Sequence, residues 1–113
     1  MATSIERGDV LWVNFEPSLG GEIKKTRPAI IVSNNAANTY LNRVQVVPIT
    51  SNTDRFYPGE AFVSLNGEKR KAMADQLTTV SKQRLGSRVG VLVSEDVARV
   101  EAAIAVQLAL NLK

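Results

Sequence analysis

Short runs of β-forming residues, separated by Gly, Pro and Asn, fill most of this chain, and helical spacing occurs only near its end. The first run, 9–15, holds Val10, Leu11, Trp12, Val13 and Phe15. Its content of β-branched and aromatic side chains predicts a strand. Residues 16–26 contain Pro17, Gly20 and Gly21 and read as a long loop. Residues 28–33 form a short apolar run around Ala29, Ile30, Ile31 and Val32, and Pro28 at its start is tolerated because a first strand residue can lack an N–H. The polar stretch 34–42 predicts a turn or one short helix. Strands follow at 43–49 and 60–65. Asn66-Gly67 is a hairpin signal with 71–80 as the partner strand. A brief helical turn at 81–85 and a strand at 87–93 come next.

The end has a different period. Val97, Val100, Ile104 and Leu108 recur at spacings of three or four, which predicts one apolar face of a helix reaching about Leu110. Ser94 suits its N-cap, with Glu95 and Asp96 in the first turn. Five or six sequential strands and one terminal helix predict a mainly β fold with antiparallel meander pairing. A small, strongly bent SH3-like barrel carrying a C-terminal helix satisfies this pattern. Such a barrel has little interior, which favours further burial through a dimer.

A length of 113 residues fits a single domain, 1–113, and 44% hydrophobic residues suffice for a core. The chain has neither Cys nor His. Disulfides, thiolate chemistry and the usual imidazole base are therefore excluded, and a zinc site without either ligand is disfavoured. Chemistry must come from carboxylates, hydroxyls, Tyr, Lys or Arg. The N-terminus shows no long apolar region and no run of about 18 apolar residues occurs, so a cytoplasmic protein with no membrane segment is expected. Net charge is +3, and between Glu68 and Arg88 six bases face two acids. Lys24, Lys25 and Arg27 form a second basic cluster. Both fit a nucleic-acid partner, and both also fit solvated loop charge.

No general catalytic motif occurs. There is, however, an ordered series: Arg7-Gly8-Asp9-Val10-Leu11-Trp12-Val13-Asn14-Phe15, then Pro17, Gly21-Glu22 and Thr26-Arg27-Pro28-Ala29-Ile30-Ile31-Val32-Ser33. Val46-Val47-Pro48-Ile49-Thr50-Ser51 and Ala74-Asp75-Gln76-Leu77 complete it. Together these segments resemble the MazF/PemK family of toxin endoribonucleases over nearly the whole chain. The resemblance implies an SH3-like barrel (MazF/PemK/CcdB-like), a two-fold homodimer, and metal-independent, cofactor-free cleavage of single-stranded RNA. The ribose 2′-OH would attack the adjacent phosphate, leaving 2′,3′-cyclic phosphate and 5′-OH ends. It also implies a cognate, MazE-like antitoxin that covers the RNA groove.

The resemblance assigns roles residue by residue. Arg27, in the Arg-Pro motif, would clamp the phosphoryl oxygens, since a guanidinium is a planar, permanent cation. The structural alternative is an Arg paired with a loop carboxylate. Thr50 matches the family's hydroxyl residue and would donate to phosphate or orient the 2′-OH; alternatively it closes a strand with a local bond to backbone. Glu22 is the candidate general base, unless it is simply a solvated loop acid. Asp75 and Gln76 match an acidic-Gln pair on the RNA-facing strand and would read base edges. Lys24, Lys25, Lys69, Arg70 and Lys71 are candidates for phosphate contacts.

The chain also departs from the family. Thr78 stands where many members have a base, and Met73 stands where the PemK branch has Arg. That branch's His near the first strand has no counterpart. Trp12 is expected in the core or a dimer interface, and Phe56 or Tyr57 could stack on a base. Two rival functions remain at this stage: a CcdB-like toxin that binds gyrase and cuts nothing, and an inactive RNA-binding relative.

Overall fold

The computed structural model describes residues 4–16, 20 and 25–111. Seven strands are present among them: β1 (Asp9–Asn14), β2 (Thr26–Ile31), β3 (Arg43–Thr50), β4 (Glu60–Leu65), β5 (Glu68–Met73), β6 (Thr78–Ser81) and β7 (Leu85–Val91). A short helix α1 (Asn35–Tyr40) precedes β3, and helix α2 (Ser94–Gln107) ends the fold. All pairings are antiparallel, in the order β4-β5-β3-β2-β1-β7, with β6 also on β3.

Strand β3 organises the curl. Its first half, Arg43–Val46, pairs with β6, while Ile49 and Thr50 pair with β5. Its opposite edge holds β2 through Ala29↔Pro48, Ile30↔Val47 and Ile31↔Val46. One long strand thus changes partner along its length and the sheet rolls into an SH3-like half-barrel. Both faces of the central strands are covered, which is why their apolar residues are continuous rather than alternating. One face packs Val10, Ile30, Val47 and Ile49 against β4, β5 and Val100 and Ala103 of α2. The other closes Leu11, Val13, Phe15, Ala29, Ile31, Val44, Val46 and Val80 inside the curl.

Three sequence expectations change. First, the partner strand expected over 71–80 is two strands separated by a one-turn 3-10 helix, Ala74–Gln76. The Asn66-Gly67 turn, with φ of 53° and 81°, sets β5 beside β4, starting at Glu68. At the far end Ala74 N–H donates to the Gly59 carbonyl at 3.0 Å, and the chain then leaves β4 for the other half of β3. Local β-propensity does not reveal a break imposed by a change of partner. Second, α2 begins at Ser94 with Val93 in the cap position, and Ser94 Oγ donates to the Glu95 carboxylate at 3.2 Å.

Third, the buried residues of α2 are Asp96, Val100 and Ala103, and Leu108 is half-exposed. Asp96 is buried because its carboxylate accepts the Ser64 N–H at 2.8 Å and pairs with Arg99, tying α2 to β4. The helix ends at Gln107, where Ala109 adopts φ 56° and Leu110 N–H closes on the Ala105 carbonyl at 2.8 Å. That closure turns Leu108 away from the core.

Candidate active site

Register brings the site together. On β1 and β2, Trp12 faces Pro28 and Val13 faces Arg27. The β2–β3 register ends at Ala29↔Pro48, two residues short of Arg27 on β2 and of Thr50 on β3. Thr50 in turn pairs with Lys71 on β5. At this open end of the sheet lies a cleft of about 300 Å³, lined by Trp12, Lys25, Thr26, Arg27, Pro28, Ile49, Ser51 and Arg70. Three of these described lining residues are cations and none is acidic. An anion is therefore the ligand class such a cleft attracts.

Each wall has a local cause. Pro28 removes an N–H from β2 where the strand meets the exposed Trp12 side of β1. Lys25 is held at φ 68°, and its carbonyl accepts the Phe15 N–H at 3.0 Å. Arg70 is anchored by Glu68 at 2.8 Å and by the Lys69 carbonyl at 3.0 Å. Gly86 on β7 lets the chain pass close behind Trp12: a Cβ there would lie 3.3 Å from Trp12 Cβ.

The candidate residues are not all gathered. Arg27, Lys25 and Arg70 share the cleft. Thr50 is half-buried between two lining residues, and its Oγ1 accepts the Asn52 N–H at 3.2 Å. That local bond uses the hydroxyl as acceptor and leaves its proton to donate. Glu22 and Lys24 lie outside the described residues. Asp75 and Gln76 sit on the one-turn helix between β5 and β6, a correction to the strand position expected for them. Lys69 is exposed, 4.0 Å over the Phe62 ring.

Lys71 departs from its expected role. Its side chain is 7% exposed and pairs with Glu60 at 3.2 Å, and its Nζ donates to the Arg55 carbonyl at 2.7 Å. An ammonium used in this way holds the 51–58 loop rather than facing solvent. Of the two positions expected for Trp12, the core is not the one it takes: it is 42% exposed and forms a cleft wall. The alternation with buried Val13 and Phe15 points Trp12 and Asn14 outward, a signal present in the sequence. Among the described residues, no group of three acidic side chains gathers to hold a metal ion, and no helix is long and apolar enough to cross a membrane.

Comparison with known proteins agrees with this geometry. Residues 6–108 match the family described as PemK-like, MazF-like toxin of type II toxin-antitoxin system. Endoribonuclease MazF9 of Mycobacterium tuberculosis is 30% identical, over 94% of this chain and 98% of that protein. The crystal structure of MazF from Deinococcus radiodurans superposes with a TM-score of 0.85 at 24% identity, covering 96% of this chain and 99% of its own. A mycobacterial endoribonuclease solved in complex with its cognate antitoxin has a TM-score of 0.79 at 26% identity, over 96% and 98% of the two chains. With its barrel, its cationic cleft and this match along most of its length, the chain belongs to the PemK-like, MazF-like toxins of type II toxin-antitoxin systems.

Proposed function

We propose that this toxin is an endoribonuclease that cleaves single-stranded RNA at selected sequences, without a metal, as a cytoplasmic homodimer. The cationic cleft at Arg27, with Thr50 between its lining residues Ile49 and Ser51, is the observation that carries this reading. The scissile phosphate lies against Arg27, whose fork of N–H donors meets two phosphoryl oxygens. Charge grows on those oxygens as the 2′-oxygen attacks phosphorus, so a fixed guanidinium and a hydroxyl donor stabilise the transition state more than the ground state. The 2′-O–P bond forms, the P–O5′ bond breaks, the 2′-OH proton passes to a base, and the departing 5′-oxygen takes up a proton. Glu22 is the candidate base and Thr50 the hydroxyl donor.

Lys25 and Arg70 hold flanking phosphates, with Lys24 as a further candidate. Asp75 and Gln76 remain candidates for base recognition. Lys71 leaves the set of RNA contacts because it is buried. Val91 and Val93 before α2, and Leu108 and Leu110 after it, are apolar and exposed, as side chains that a dimer would cover are. By analogy with the relative solved with its cognate antitoxin, a MazE-like partner neutralises this toxin by covering the groove.

The test is cleavage of a long, mixed-sequence RNA in EDTA by wild type and Arg27→Ala. Discrete wild-type fragments with cyclic-phosphate ends, lost in the variant, are expected. Intact RNA after incubation with folded wild-type dimer would overturn the proposal.

A further inference from the structure

The loop leaving Thr50 carries two exposed aromatic residues, Phe56 and Tyr57. Its backbone is tied down along its length. Asp54 N–H donates to Asn52 Oδ1 at 3.1 Å, and Asn52 N–H to Thr50 Oγ1 at 3.2 Å. Lys71 Nζ donates to the Arg55 carbonyl at 2.7 Å, and Tyr57 N–H donates to Glu60 Oε1 at 2.8 Å. The pair that makes these last two bonds, Lys71 and Glu60, is itself buried. These bonds set the path of the loop.

The loop carries one ring of a stack. Phe56 lies over Phe62 with centroids 4.6 Å apart and planes 20° from parallel. The Lys69 ammonium stands 4.0 Å from the Phe62 centroid. Phe56 nevertheless keeps 52% of its surface exposed, so its side away from Phe62 faces solvent. A groove of about 340 Å³ beside the rings is lined by Phe56, Pro58, Phe62, Arg99 and Val106 among others. The nearby exposed charges are Arg55 and Lys69 against Asp54; Lys71 with Glu60 and Arg70 with Glu68 are paired internally. The loop's first residue, Ser51, lines the cleft with Arg27. Five residues on, Phe56 lies at most about 18 Å from it.

A lone exposed phenylalanine is ordinary. A phenylalanine held on a second ring, beside cations and on the loop that leaves an anion-binding cleft, has the elements used to bind unpaired bases. We propose that Phe56, supported by Phe62 and Lys69, is a stacking site for a nucleobase of single-stranded RNA outside the cleaved step. This rests on the endoribonuclease reading above and extends the substrate contact beyond the cleft.

The probe is an RNA oligonucleotide carrying the cut sequence, blocked by a 2′-O-methyl group at the attacking ribose. The fluorescent base 2-aminopurine is placed at each flanking position in turn. Wild type should quench one flanking position. Phe56→Leu, which keeps apolar volume without a π face, should lose that quenching and bind roughly 5- to 100-fold more weakly. Phe56→Tyr should restore both. Unchanged quenching and affinity in Phe56→Leu would overturn the stacking site while leaving the nuclease reading intact. Failure of wild type to bind any RNA would instead remove the reading beneath it. Normal RNA affinity in Phe56→Leu, with neutralisation by the partner protein lost, would place the ring in a protein contact and reject the proposal.

Discussion

Lys71 and Glu60, diagonal neighbours across the β4–β5 hairpin, pair at 3.2 Å with side chains 7% and 8% exposed. A buried pair is costly to break because the survivor keeps its charge without water or a partner. Lys71→Met alone should lower unfolding free energy by about 3–5 kcal/mol, and the double variant Lys71→Met/Glu60→Leu should regain most of that loss. Urea denaturation followed by circular dichroism measures both. A single variant with the wild-type midpoint would show that the pair carries no weight.

Arg27→Ala should reduce the single-turnover cleavage rate by about 10²–10³, the usual effect of losing one donor to a developing oxyanion. Arg27→Lys should recover little, since an ammonium lacks the planar fork. Wild-type rates in both variants would remove Arg27 from the chemistry.

Thr50 has two readings that substitution separates. Thr50→Ser keeps a hydroxyl able both to donate to phosphate and to accept the Asn52 N–H, so activity should persist. Thr50→Val keeps the shape and loses the hydroxyl, and the rate should fall by about 10²–10³. Equal activity in the two variants would reduce Thr50 to a local backbone contact.

RNA affinity should fall with salt, each phosphate contact to a single strand contributing about 0.7 to the log–log slope. Lys25→Ala and Arg70→Ala should each lower the slope by about that amount. The Lys71→Met/Glu60→Leu double variant should keep the wild-type slope, because the ammonium it removes is committed to Glu60 and the Arg55 carbonyl and meets no phosphate. A drop there equal to that of Lys25→Ala would contradict the buried role.

Much of the fold was legible because it depends on local chemistry. Positions 10–13 and 29–32 are strand-like by side-chain type, Asn66-Gly67 specifies its turn by tolerating positive φ, and α2 shows its period from Val97 to Ile104. The ordered segments containing Arg27 and Thr50 identified the family, and residue types alone excluded imidazole and thiolate chemistry. Tertiary structure decided the rest. The division of 71–80 into β5, a 3-10 turn and β6 follows from β3 exchanging one partner for another, a relation between segments distant in sequence. Lys71 and Arg70 look equivalent as neighbouring bases, but strand alternation sends one to Glu60 under a loop and the other to the cleft. The burial of Asp96 likewise depends on the Ser64 N–H of β4. Sequence determined which side chains were available; pairing across the sheet determined which became buried and which meet solvent, because that depends on neighbours brought together only by folding.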